Sequence, residues 1–226
     1  VFKQKSFQTV AGVDLHLESL VADDGAFPRY WHLLSANERQ AAQRFQFEEL
    51  RRRYAICHGK LRVLLAAYLD MAPEAIEFAR HAFGKPYLIG RQQQALALQF
   101  NLSHSGDRML LAVGQRQLGV DIEMWNRRHE PGLLAQECLS ADELAYWRRL
   151  PDQLQIPAFY RFWTRKESLL KAVGAGIGNG VTDVVTSTEG VPKFLSLPPQ
   201  CGTIADWCLY DVAVGDDCSA ALTVLA

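Results

Sequence analysis

Leu34-Ser35-Ala36-Asn37-Glu38 and Leu139-Ser140-Ala141-Asp142-Glu143 lie 105 positions apart and read alike. In each, a serine precedes a glutamate by three residues. That is the pattern in which serine caps a helix N-terminus and the glutamate reaches back to the serine amide. A stronger helical pattern follows each. Phe47, Leu50, Tyr54, Cys57, Leu61, Leu64 and Tyr68 recur by threes and fours, and Phe159, Phe162, Trp163, Leu169, Leu170 and Val173 lie on a similar stripe. Pro157 suits the start of the second helix and Gly174 its C-terminal cap. A turn comes after each helix, Gly84-Lys85-Pro86 and then Gly190-Val191-Pro192. Strand candidates cover 96–102 and 109–114 in the first half, 207–214 and 219–225 in the second. The reading is an α+β chain, a pseudo-dimer of two similar halves, residues 1–116 and 117–226. Each half is a small antiparallel sheet packed with a long helix, and the cleft between them is the expected site.

Composition narrows the function. With 24 basic and 25 acidic side chains in 226 residues, the net charge of -1 lacks the basic excess expected of a nucleic-acid binder. A hydrophobic share of 49% excludes a disordered chain. Apolar runs such as Met109–Val113 fall far short of the roughly 20 residues that cross a bilayer. No leader is visible from Val1 onward, so a cytoplasmic protein without membrane attachment is expected. The five cysteines, Cys57, Cys138, Cys201, Cys208 and Cys218, are odd in number and contain no Cys-x-x-Cys pair. They read as small buried hydrophobes rather than disulfides or zinc ligands.

Four segments could carry chemistry. In Leu118-Gly119-Val120-Asp121-Ile122-Glu123 the alternation is that of a strand, which puts Asp121 and Glu123 on one face. They are either the acidic face of a solvent-facing edge or a cation site. In Phe162–Lys171, Glu167 and Lys171 are four apart on one helical face. They form either a surface ion pair or, on so apolar a helix, a pair with a function. Asp121, Glu123 and Glu167 together would make an all-oxygen site suited to Mg²⁺ or Mn²⁺ rather than zinc. Phe100-Asn101-Leu102-Ser103-His104-Ser105-Gly106-Asp107 reads as a strand ending in a polar loop, where Ser103 and His104 either hold phosphate oxygens or cap a turn. Gly84-Lys85-Pro86 is a stiff turn carrying one positive charge. The glycine-rich run Gly174–Gly180 follows a helix rather than a strand and lacks the Gly-x-Gly-x-x-Gly spacing, so it is no dinucleotide fingerprint.

Taken in order, these segments resemble the 4′-phosphopantetheinyl transferases of the longer, surfactin-synthetase-activating type. Gly119–Glu123 and Phe162–Lys171 look like that family's two signature motifs, and Asn101–Ser105 and Gly84–Pro86 like two further ones. The resemblance implies a monomeric enzyme that moves the phosphopantetheine arm of coenzyme A onto a serine of an acyl or peptidyl carrier protein, releasing adenosine 3′,5′-bisphosphate. By motif position it implies that Asp121, Glu123 and Glu167 hold Mg²⁺ (or Mn²⁺). Glu167, directly or through a metal-bound water, would take the serine proton, and Lys171 would neutralise charge on the phosphates. Ser103 and His104 would hold phosphate groups, the 3′-phosphate falling to His104. Gly84, Lys85 and Pro86 would hold the adenine end. Arg53, and next Arg51, resemble a basic segment that grips the nucleotide phosphates. The chain departs from the family in having Leu50 where many members are acidic, Glu38 and Ala41 where some have lysines, and Phe83 for a frequent tyrosine.

Two other readings compete: a coenzyme A or nucleotide-phosphate binder without catalysis, and a metal-dependent phosphohydrolase. The intact set Asp121, Glu123, Glu167 and Lys171 argues against the first. For the carrier, the segment 126–150 offers Arg127, Arg128, Arg148 and Arg149 around Leu133, Leu134, Leu139 and Trp147, either as a docking surface or as a solvated loop and amphipathic helix.

Overall fold

A computed structural model describes residues 7–21, 25–90, 97–126, 131–174 and 180–226. Strands β1 (Gln8–Val10) and β2 (Val13–Ser19) precede helices α1 (Ala26–Leu33), α2 (Ala36–Gln43) and α3 (Glu48–Leu69). Then come β3 (Phe78–Arg80), β4 (Pro86–Leu88), β5 (Gln99–Ser105), β6 (Arg108–Gly114) and β7 (Leu118–Met124). Helices α4 (Pro131–Cys138), α5 (Ala141–Arg148) and α6 (Asp152–Val173) follow, then β8 (Val185–Thr186), β9 (Phe194–Ser196), β10 (Trp207–Asp211) and β11 (Cys218–Leu225). The fold is mixed, with small antiparallel sheets and helices.

Both capping boxes form as the sequence implies. Ser35 accepts from the Glu38 amide while Glu38 accepts from the Ser35 amide, and Ser140 with Glu143 does the same. The long helices α3 and α6 each span 22 residues. Gly174 closes α6 in the left-handed region at φ 78°, where glycine carries no steric penalty. Pro157 does not start α6. Pro151 precedes the first turn and Pro157 sits inside, where it costs one helix hydrogen bond.

The two main sheets have the orders β1-β2-β6-β5 and β10-β11-β7. They pack face to face: Val13, Leu15, Leu110 and Ala112 of the first meet Val120, Ile122, Leu222 and Val224 of the second. On the outer face of the first sheet, Leu61, Leu64 and Leu65 of α3 pack on Phe100, Met109, Leu111 and Val113. On the outer face of the second, Leu169 and Leu170 of α6 pack on Leu209 and Ala221. β6 is thus buried on both faces, which is why Met109–Val113 is uninterruptedly apolar rather than alternating. The strand candidates exist with shifted ends: the first continues through Ser105, and the third stops at Asp211.

All five cysteines are free, and Cys208 alone of them is not fully buried. No helix among the described residues is long and apolar enough to cross a membrane.

Candidate active site

Gly119 decides how close α6 comes to β7. A Cβ there would collide with the Ser168 carbonyl oxygen and the Ala172 amide nitrogen, so helix and strand backbones touch. That contact sets Glu167 and Lys171 directly over Asp121. Lys171 Nζ lies 2.5 Å from Asp121 Oδ1 and donates to Ser103 Oγ at 2.8 Å. Ser103 in turn donates to Asp121 Oδ1 at 2.8 Å, and Ser105 donates to Glu123 Oε2 at 2.7 Å. Asp121 is only 2% exposed and Glu167 5%, while Glu123 is half-buried, so Asp121 is not part of a solvent-facing acidic edge.

Electrostatics follow from this crowding. Burial, then the Asp121 charge, and further Glu123, push the Glu167 carboxyl up to about 7 against the pull of Lys171. Burial also raises Glu123, reinforced by Asp121 and opposed by Ser105, Lys171 and Trp163. Asp121 Oδ2 and Glu167 Oε1 are buried with no hydrogen-bond partner. Two orphaned carboxylate oxygens at one place are costly unless a cation joins them. Among the described residues, no three acidic, histidine or cysteine side chains form a ready metal cage. The donors present, carboxylate oxygens, are hard ligands of the kind that suit Mg²⁺ or Mn²⁺ rather than zinc.

Ser103 and His104 do not act from a loop. Both lie in β5, so they point to opposite faces. Ser103 faces Asp121 and donates its hydroxyl proton there. His104 faces α3. It lines a cavity of about 280 Å³ with Leu20, Phe45, Arg53, Tyr54 and His58. His104 remains exposed at its surface; partial desolvation by the surrounding protein lowers its pKa, helped by the charges of Lys171, His58 and Arg53 and opposed by Asp121. Arg53 donates to Glu49 at 2.8 Å, and Arg51 pairs with Glu48.

Lys85 makes contacts that its turn motif does not reveal. Its Nζ donates to the carbonyls of Leu118 (2.9 Å) and Ala172 (3.0 Å), at the start of β7 and the end of α6. Burial lowers its pKa to about 8. It anchors the turn to the second sheet, while Phe83 stays 63% exposed beside it. Gly84 takes φ 85°, which the turn requires.

Several contributors escaped the sequence reading. Glu38 is turned inward: Arg62 Nε donates to it at 2.9 Å and His58 Nδ1 lies 3.3 Å away. Burial would raise its pKa, but His58, Arg62 and the Ser35 amide outweigh it and hold it at about 2. Lys166, inside the signature helix, is structural. It pairs with Glu143 at 2.7 Å, and both are wholly buried. Of the segment proposed for docking, Leu133 and Leu134 are exposed, as are Arg148 and Arg149, but Leu139 and Trp147 are core residues. Arg127 and Arg128 lie outside the described residues.

A buried acid–lysine cluster lies between a strand and a helix, and the neighbouring cavity is mostly apolar, with Arg53, His58 and His104 on its wall. The description "4'-phosphopantetheinyl transferase superfamily" matches residues 117–222, and "4'-phosphopantetheinyl transferase, N-terminal" matches residues 23–116. The chain belongs to the 4′-phosphopantetheinyl transferase superfamily, a family of transferases. It is 36% identical over 194 residues to the 4'-phosphopantetheinyl transferase HetI of a Nostoc species, covering 84% of this chain and 78% of that one. It is 31% identical over 156 residues to a 4'-phosphopantetheinyl transferase of Bacillus subtilis, covering 68% of this chain and 66% of the other.

Proposed function

We propose that the protein transfers the 4′-phosphopantetheine arm of coenzyme A to a serine of an acyl or peptidyl carrier protein. The serine oxygen bonds to the phosphorus bearing the pantetheine arm, and the bond from that phosphorus to the bridging pyrophosphate oxygen breaks. Adenosine 3′,5′-bisphosphate leaves with that oxygen. The observation that carries this reading is the pair of buried, unpartnered oxygens, Asp121 Oδ2 and Glu167 Oε1, with Lys171 beside them.

Asp121, Glu167 and the nearby Glu123 would hold Mg²⁺ or Mn²⁺, which when bound supplies positive charge to the pyrophosphate oxygens. Glu167 accepts the serine proton, and its raised pKa makes it a competent base near neutrality. Lys171 orients Asp121 and faces charge gathering on the phosphates. His104, with Arg53 and His58 around the same cavity, receives the nucleotide's 3′-phosphate, and Arg51 extends that basic side. Gly84 and Pro86 shape the adenine end, with Lys85 as their anchor. We read residues 1–116 and 117–226 as two related halves of a pseudo-dimer that functions as a monomer in the cytoplasm, with the site in the cleft between them.

The test is mass spectrometry of an apo carrier protein incubated with the enzyme, coenzyme A and Mg²⁺. A mass gain of one phosphopantetheine arm is expected. Unmodified carrier with coenzyme A bound would point to a binding module, and phosphopantetheine freed without carrier to a hydrolase.

A further inference from the structure

The edge strands β5 and β7 belong to different sheets and share no backbone ladder. Their meeting is made by side chains. The Val120 amide donates to Asn101 Oδ1 at 2.8 Å, the Ile122 amide to Ser103 Oγ at 3.3 Å, and the Met124 amide to Ser105 Oγ at 3.1 Å. Both strands repeat every two residues, so every second side chain of β5 meets every second amide of β7. The two serines then donate onward, Ser103 to Asp121 and Ser105 to Glu123.

The hydroxyl inventory makes this a closed arrangement. A serine has one proton and two acceptor sites. Ser103 uses all three, on Asp121, Ile122 and Lys171. Ser105 uses its proton on Glu123 and an acceptor site on Met124. A backbone ladder would have satisfied the same amides with carbonyls, leaving no hydroxyl aimed at a carboxylate. Here one oxygen does both: it satisfies an edge amide of β7 and fixes the carboxylate of the preceding residue.

We propose that Asn101, Ser103 and Ser105 are a side-chain splice joining the two sheets, and that Ser103 and Ser105 are positioning residues that set Asp121 and Glu123 for cation binding. The second clause rests on the divalent-cation reading above. Partners that orient metal-binding carboxylates generally matter by about 10–100-fold in affinity. Ser105 is the better probe, because it touches neither Lys171 nor Asp121.

The experiment measures two quantities in the full chain without coenzyme A: amide hydrogen exchange at Val120, Ile122 and Met124 by NMR, and Mn²⁺ affinity by calorimetry. In Ser105→Ala, Met124 exchange should accelerate while Val120 keeps its wild-type rate, and Mn²⁺ affinity should fall about 10-fold. Ser105→Thr keeps the hydroxyl on a β-branched side chain suited to a strand, and should restore both. Wild-type values of both quantities in Ser105→Ala, or losses that Ser105→Thr does not repair, would overturn the proposal. A lowered melting temperature with unchanged Mn²⁺ affinity would reduce Ser105 to a structural role and overturn the positioning clause. If Ser105→Ala does not fold, Ser105→Cys, with its weak S–H donor, must show both losses in smaller measure, and wild-type values there are equally fatal. No Mn²⁺ binding by the wild type would sink the cation reading, while Met124 exchange would still decide the splice.

Discussion

Lys171 Nζ and Asp121 Oδ1 are 2.5 Å apart, and the same ammonium group donates to Ser103 at 2.8 Å. One lysine of α6 thus touches a strand from each main sheet. It is attached where Glu167, one helical turn earlier, meets the same carboxylate's field. The charge of this cluster depends on pH, which makes it measurable.

Glu167→Gln should abolish transfer with the fold intact. Its effect on stability should also vary with pH. The folded pKa, about 7, lies above the ordinary value of 4.5, so folding favours the protonated acid. That stabilisation is complete at low pH and is lost as pH rises from about 4.5 through 7, by up to about 3 kcal/mol. In metal-free protein, the melting temperature of Glu167→Gln relative to wild type should therefore be higher at pH 8 than at pH 5. A difference that does not change with pH would mean that Glu167 ionises as freely as in water.

Gly119→Ala should damage both stability and turnover. The added methyl meets backbone atoms of Ser168 and Ala172, which cannot swing aside. Overpacking of this kind costs about 1–3 kcal/mol. The helix must also withdraw from β7, carrying Lys171 from Asp121. Denaturation midpoints and kcat should fall together, and a fully active, wild-type-stable variant would contradict the close approach.

Lys166→Met should be the most destabilising change in the signature helix, because it strands a wholly buried Glu143 carboxylate. The expected loss is about 3–5 kcal/mol by urea titration. Lys166→Met with Glu143→Leu should recover much of it, although Thr186, whose amide and hydroxyl both bond Glu143, then loses its partner. If the double variant is as unstable as the single one, the cost lies in packing or in the Cys138 and Val181 carbonyls, to which Lys166 also donates, rather than in a stranded charge.

His104→Ala separates the two phosphate regions. Calorimetry should show coenzyme A binding several-fold more weakly, with dephospho-coenzyme A nearly unaffected. Equal weakening of the two would move His104 away from the 3′-phosphate.

Local signals in the sequence proved accurate where one interaction decides the outcome. The Ser35–Glu38 and Ser140–Glu143 boxes and the Gly174 cap are such cases, and the carboxylate alternation of 120–123 is another. Errors arose where a second element intervenes. Ser103 and His104 were read as loop because β5 carries few apolar residues at that end; its inward face is polar because it meets the edge of β7 instead of a core. The turn motif that contains Lys85 does not reveal that its ammonium group donates to the carbonyls at 118 and 172, a contact that leaves its expected place at the adenine end untouched. Pro157 suits a helix start by local preference alone, whereas Pro151 already opens α6 and leaves Pro157 inside it. Burial of Glu38, Glu143 and Lys166 depends on partners 20 or more residues away, which no local pattern reveals.

The pairing of β7 with β11 has a consequence for how the protein comes into being. Each residue from Leu118 to Met124 waits for a strand made much later, and the Trp125 indole closes on Ser219 across 94 positions. Until that strand is synthesised, β7 lacks its only ladder partner among the described residues, and the side chains of β5 are left to hold its edge. Such distant pairings form slowly, after local helices and hairpins are in place. During synthesis, therefore, the strand that carries Asp121 and Glu123 cannot take up its backbone pairing until residues 218–225 have been made.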